Sequence, residues 1–221
     1  TSVAANLVLT ITGTNDVPVA IAAVNAVDED ATISGSVAAT DADAGETATL
    51  SYALTGAAPT GLTFNPDGSY TFDASSYDAL TAGEKLVLTI PFTASDATTT
   101  SVAANLVLTI TGTNDVPILT IADKVVSFTE TLNASAQNLT SSGTVSFDDI
   151  DTTDVIDITY DLTIPAVWTG GVLDAALANQ LTAGFSIPDI TNAPAPDTTT
   201  WAYDVTDVNL DFLKAGETIT F

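Results

Sequence analysis

The 221 residues carry 28 Asp and Glu against three basic residues, a formal charge of −25, while 46% of the chain is apolar. That apolar share is enough to build cores, but the charge repels nucleic acid and anionic lipid, so neither is expected as a partner. Cys, His and Met are all missing, which excludes disulfides, imidazole bases and the common zinc sites, and nothing pairs a nucleophile with a base, so no enzyme is expected.

The longest apolar stretch, PVAIAAVNAV at 18–27, falls far short of the ~20 residues of a membrane span, and no cleavable signal-peptide pattern opens the chain. No membrane insertion is expected.

The chain opens with TSVAANLVLTITGTNDVP at 1–18, and the same eighteen letters return unchanged at 100–117. A fixed period marks a repeat architecture. With NDVP as punctuation, residues 1–18 are the closing strand and linker of an upstream repeat, 19–117 a complete repeat, and 118–221 a second, divergent one. SGSVAATDADAGETATLSYAL at 34–54 aligns with SGTVSFDDIDTTDVIDITYDL at 142–162, and LTAGEKLVL at 80–88 with LKAGETITF at 213–221. The second repeat therefore lacks its final strands within these residues.

Strand patterns follow in order. Leu7, Leu9 and Ile11 alternate, as do their copies Leu106, Leu108 and Ile110 in the closing strand. Ala48, Leu50, Tyr52 and Leu54 form a second alternating face, and Ile156, Ile158, Tyr160 and Leu162 a third. LTFNPDGSYTF at 62–72 reads as a hairpin, because Pro66 presets φ and Gly68 accepts a positive φ. Leu86, Leu88, Ile90 and Phe92 alternate around Pro91, which predicts an edge or a bulge there. VLDAALANQL at 172–181 is the best helix candidate. About seven short strands per roughly 100 residues predict a β-sandwich for each repeat.

Acids gather at strand ends and linkers: AVDEDA at 26–31, TDADAGE at 40–46, SDA at 95–97 and the GTNDVP linkers. Hard oxygen donors at one end of a sandwich suit Ca²⁺ better than Mg²⁺, whose geometry is stricter. In an extended segment the two acids of a D-x-D pair share a face. A lone pair is more often a solvated turn, but this one recurs as Asp149 and Asp151, and Glu29 recurs as Glu130.

VAATDADAGETATLSYAL and ASDATTTSVAANLVLTITGTNDVP resemble cadherin segments, and DGSYTFDASSYDALTAGE followed by LTITGTNDVP resembles the bacterial cadherin-like VCBS repeats of RTX-type giant secreted adhesins. The likeness spans nearly all of 1–117 and is looser over 118–221. It implies an all-β fold of tandem cadherin-like (Ig-like, Greek-key) β-sandwich repeats joined by short linkers. It also implies Ca²⁺ at the junctions, with Asn15, Asp16, Asp41, Asp43 and Asp96 at the first, and Glu29, Asp78, Asn114, Asp115, Asp149 and Asp151 at the second. The counterpart of Asp96 would follow Phe221. Gly112 and Val116 replace the flanking Asp and Asn of the cadherin linker, which implies about one or two ions per junction in place of three.

The expected function is that of structural extender repeats in a secreted, cell-surface bacterial adhesin, stiffened by Ca²⁺ and serving adhesion or biofilm formation. Its partners would be neighbouring repeats or other copies of the chain. One alternative is a filament subunit, in which residues 1–18 complete another copy's second repeat by strand addition. Another is a module for surface glycans, with Trp168 beside Gly170 and Gly171 as a stacking platform; Trp201, alternating with Tyr203 and Val205, reads as core.

Overall fold

The computed structural model describes residues 6–96, 98–122 and 125–221. They form two units, residues 1–113 and 114–221, and each is an all-β Ig-like sandwich.

In the first unit β1 (Val19–Ile21) and β2 (Ala23–Asp28) belong to different sheets, so the chain changes layer at Ala22. β3 (Thr32–Ser36), β4 (Ala38–Thr40), β5 (Ser51–Leu54), β6 (Leu62–Phe64) and β7 (Ser69–Asp73) follow, then the long β8 (Lys85–Ser95) and β9 (Ala104–Thr111). One layer has the order β2-β9-β8-β5 and the other β3-β7-β6, with β1 paired to β4. β9 is the keystone: it lies parallel to β2 and antiparallel to β8. Its inward set, Leu106, Leu108 and Ile110, is wholly buried in one core with Val27 and Phe92 of the neighbouring strands and Phe72 of the facing layer. Each such side chain contributes about 1.5–3 kcal/mol by leaving water.

The hairpin at 62–72 forms as its turn chemistry predicts: Gly68 takes φ +84° and β6 pairs with β7. Two expectations fail in this unit. Ala48 lies in a 3-10 turn, Glu46–Thr49, so the strand begins only at Ser51. Pro91 lies in an interior strand; its carbonyl accepts from Thr55 N at 3.0 Å, so its missing N–H faces the point where β5 has just ended.

Residues 6–18 form no strand. Leu7, Leu9 and Ile11 are 84%, 81% and 95% exposed, whereas Leu106, Leu108 and Ile110, in identical surroundings along the chain, are 0% exposed. The expected strand needs neighbours to pair with, and sequence alone does not provide them.

The second unit is built on β10 (Ile118–Ile121), β11 (Gln137–Asp148), β12 (Val155–Ile158), β13 (Val167–Trp168), β14 (Phe185–Ser186), β15 (Ile190–Pro194), β16 (Asp197–Val208) and β17 (Ile219–Thr220). The main sheet runs β10-β11-β16-β14; β12 pairs with β15 and β13 with β17. Trp201, Tyr203 and Val205 of β16 are core, as their alternation predicts. β12 stops at Ile158, and Tyr160 and Leu162, expected to continue it, are exposed. The helix forms as α1 (Ala175–Thr182), capped by the Asp174 carboxylate, which accepts from Ala176 N and Leu177 N; Leu181 is buried in the core. Among the described residues no helix is long and apolar enough to cross a membrane.

Candidate metal centre

In the first unit β4 ends at Thr40, and the acidic loop begins at once. Asp41 Oδ1 accepts from Asp43 N at 2.8 Å, a local turn that leaves Asp41 Oδ2 free to point elsewhere. Thr47 Oγ1 donates to Asp41 O at 3.2 Å and accepts from Asp41 N at 2.8 Å. Gly45, at φ +91°, turns the chain back into the 3-10 segment and returns Glu46 to Asp41. Asp96 ends β8 and closes the turn that follows: its Oδ1 accepts from Thr98 N (2.7 Å) and Thr99 N (2.6 Å). Asp96 Oδ2 accepts from Thr99 Oγ1 (2.9 Å) and Asn15 Nδ2 (3.0 Å).

One carboxylate oxygen from each of Asp41, Glu46 and Asp96 lies within 4.8 Å of the others. Two oxygens sharing a Ca²⁺ at about 2.3–2.6 Å are separated by at most about 5 Å, so the spacing suits one ion. Asp41 Oδ2 and Glu46 Oε2 are buried and have no hydrogen-bond partner among the described residues. Buried carboxylate oxygens without a donor are costly unless a cation meets them. Partial burial, then the charges of Asp43, Asp41 and Asp96, raise the Glu46 pKa above its ordinary value. The Asp96 pKa is pushed the other way, far below the usual carboxylate range, first by Thr99 N and then by the Asn15 amide.

The linker is tied to this loop by its backbone. Asp16 N donates to Asp43 Oδ2 at 2.8 Å, and Asn15 Nδ2 donates to Asp16 O at 2.7 Å. Asn15, Asp16, Asp41, Asp43 and Asp96, the set implied for the first junction, are thus brought together in one network.

The second unit repeats the scaffold. Asp115 N donates to Asp151 Oδ2 at 2.9 Å, Asp151 N to Asp149 Oδ1 at 3.1 Å, and Asn114 Nδ2 to Asp115 O at 2.6 Å. Asp154 stands where Glu46 stands: Asp154 N donates to Asp151 O at 3.2 Å, as Glu46 N does to Asp43 O at 3.2 Å. Asp151 is buried, and its Oδ1 has no partner among the described residues.

Glu46 and Asp154 were absent from the ligand sets read in the sequence. The signal was present as D-x-D-x-x-E at 41–46 and D-x-D-x-x-D at 149–154.

Glu29 is buried, with Oε1 accepting from Thr113 N (2.6 Å) and Oε2 from Leu80 N (3.3 Å), so it ties the end of β9 to the loop before β8. Asp78 follows the 3-10 turn Ser75–Tyr77 and is half-buried. Glu84, near it in sequence, accepts from Thr81 N and Oγ1. Glu130 is half-buried in a segment outside the strands. Trp168 is engaged by its own unit, donating from Nε1 to Glu217 Oε2 at 3.2 Å and meeting the Phe212 ring edge-on at 4.9 Å.

Residues 15–111 match the bacterial Ig domain family. Comparison with curated proteins gives no match. Among solved structures the chain is similar to protocadherin gamma B7 extracellular cadherin domains 1–4, with 17% identity, 88% of this chain and 42% of that one covered, and a TM-score of 0.40. It is similar to the human desmocollin-1 ectodomain at 16% identity, with 89% and 32% covered and a TM-score of 0.35. The chain therefore spans less than half the length of these cadherin structures.

Proposed function

We propose that the chain is a stretch of extender repeats from a large, secreted bacterial surface adhesin of the VCBS/RTX type, serving cell adhesion or biofilm formation, and that Ca²⁺ at each linker-bound acidic loop stiffens the array. The observation that carries this reading is recurrence. Asp43–Asp16 and Asp151–Asp115 make the same backbone contact, within two repeats whose sequences have otherwise diverged. A solvated acidic turn has no reason to keep that scaffold or to bury oxygens without donors.

In the first repeat Asp41, Glu46 and Asp96 would hold the ion, with the linker residues Asn15 and Asp16 fixed beside them. In the second, Asp149 and Asp154 stand where Asp41 and Glu46 stand, and the buried Asp151, the counterpart of Asp43, would add its Oδ1, with Asn114 and Asp115 beside them. Bound Ca²⁺ supplies positive charge and shared coordination where carboxylates otherwise repel. Each linker would then be locked to the repeat it precedes, and an array would become a rod. Affinities of ~10⁻⁴ to 10⁻³ M, usual for extracellular modules, are enough outside a cell. Partners on this reading are neighbouring repeats or other copies of the chain.

Titration calorimetry with Ca²⁺ on the full chain tests it directly. The reading predicts saturable binding that Asp41→Asn and Asp151→Asn each reduce by one site. Binding unchanged in both variants, or none at millimolar Ca²⁺, would overturn it.

A further inference from the structure

The second unit departs from the first between two matching pairs of residues. Gly35 lies opposite Tyr70 across β3 and β7, and Gly143 lies opposite Trp201 across β11 and β16. The chain runs 35 residues between the members of the first pair and 58 between those of the second. The first unit holds only β6 between β5 and β7, whereas the second holds β13, α1, β14 and β15 between β12 and β16. An extender needs none of that added chain, since the first unit closes its core without it.

The added segment builds a groove of about 580 Å³ against the end of β16 and the loop that follows it. α1 packs Leu177 and Leu181 on the core and is pinned to β16 by Gln180, whose Nε2 donates to Thr206 O at 3.0 Å. Trp168 forms one wall. Its Nε1 donates to Glu217 Oε2, which also accepts from Lys214 N at 3.1 Å, and Phe212 meets the ring edge-on. Gly170 lies so close that a Cβ there would stand 2.5 Å from the indole. The ring is therefore fixed before any ligand arrives. Along the rim, Asp174 Oδ1 is used by the helix cap and Asn209 Oδ1 by Asp211 N at 3.1 Å. That leaves Asp174 Oδ2, Gln180 Oε1, Asn209 Nδ2 and the Asp207 carboxylate unused among the described residues. Asp207 is held at φ +54°, its N–H donating to Asn138 Oδ1 at 3.0 Å, in the left-handed region that Asp and Asn tolerate better than other side chains.

An aromatic wall, an apolar floor of Leu173 and Leu177, and a few fixed polar atoms are the makings of a ligand site. The charge of the rim decides the class of ligand. Two carboxylates line the groove and, among the described residues, no basic side chain does, so phosphate, sulfate and uronate groups are repelled. An ammonium group only donates and would leave Asn209 Nδ2 facing another donor, whereas sugar hydroxyls both give and accept. The C–H face of a pyranose ring is apolar and flat enough to lie on an indole. We propose that this groove binds a neutral oligosaccharide, with one pyranose ring against Trp168 and its hydroxyls shared among Asp207, Gln180 and Asn209. None of the calcium-loop acids lines the groove, so this binding stands apart from the extender reading.

Titration calorimetry of the full chain in chelator tests this, with maltohexaose, mannohexaose and xylohexaose as neutral probes and hexagalacturonate and hexalysine as charged ones. The proposal expects saturable binding of at least one neutral probe at millimolar concentration and none of hexagalacturonate. Asp207→Asn, which keeps the left-handed backbone, and Trp168→Ala should each weaken that binding about tenfold or more, while the melting temperature of the Asp207→Asn chain stays at the parent value. Asp41→Asn should bind the probe as the parent does, so a failure of the calcium reading and a failure of this one are told apart. Hexalysine, drawn to acidic surface anywhere on the molecule, should bind without regard to Trp168→Ala. No binding of any neutral probe, sugar affinity that Asp207→Asn and Trp168→Ala both leave intact, or hexalysine binding that Trp168→Ala abolishes would each overturn the proposal.

Discussion

Glu46 and Asp96 sit in one cluster yet are pushed in opposite directions, and each push has a named cause. Burial and three neighbouring acids raise the pKa of Glu46; backbone and amide donors lower that of Asp96. A raised acid destabilises the folded, ion-free state as pH rises through its range. Glu46→Gln should therefore raise the melting temperature of the first unit in chelator at pH 7, and shrink the increase that Ca²⁺ produces. Differential scanning calorimetry in both buffers checks the two signs. Asp67 offers a cleaner pH prediction, away from the cluster. Its carboxylate accepts from Ser69 Oγ at 2.6 Å and Ser69 N at 2.9 Å, and these bonds lower its pKa. Its stabilising effect is present above the ordinary value of 3.8 and is lost as pH falls through the lowered one. Ser69→Ala should move the Asp67 pKa upward in an NMR titration. At this scale the sequence was informative wherever a residue recurred in a copy, as with Asp41, Asp43, Asp149 and Asp151. It hid Glu46, because the turn at Gly45 and the 3-10 segment interrupt what reads as strand alternation through Ala48 and Leu50.

Two identical heptapeptides, one a keystone strand and one an exposed coil, show what decides the state of an element. Strand propensity is the same in both, so the difference lies in the presence of paired neighbours. Leu108→Ala should cost about 2–5 kcal/mol of first-unit stability, while Leu9→Ala should stay within about 0.5 kcal/mol. Urea denaturation of both variants checks the contrast. A second recurring device is a glycine facing an aromatic ring across a ladder. A Cβ at Gly35 would meet Tyr70 Oη at 2.5 Å, and one at Gly143 would meet Trp201 Nε1 at 2.5 Å. Gly143→Val should destabilise the second unit by about 1–3 kcal/mol and leave the first unchanged, which a two-transition melt followed by tryptophan and tyrosine fluorescence separates. The hairpin, α1 and the core of β16 were legible because each has a local signature. The layer change at Ala22 and the early end of β12 were not, since both depend on which distant strand is available to pair.

At the scale of the whole molecule, a charge of −25 on 221 residues makes cations the natural partners. The repeat period is plain in the sequence, and residues 15–111 match the bacterial Ig domain family. The central claim is that Ca²⁺ held by the linker-bound acidic loops fixes one repeat against the next. Small-angle X-ray scattering of the chain measures this most directly. With millimolar Ca²⁺ the account predicts a larger, sharply defined maximum dimension, and in chelator a shorter, broader distribution of pair distances. Scattering curves that superimpose in the two buffers would contradict it.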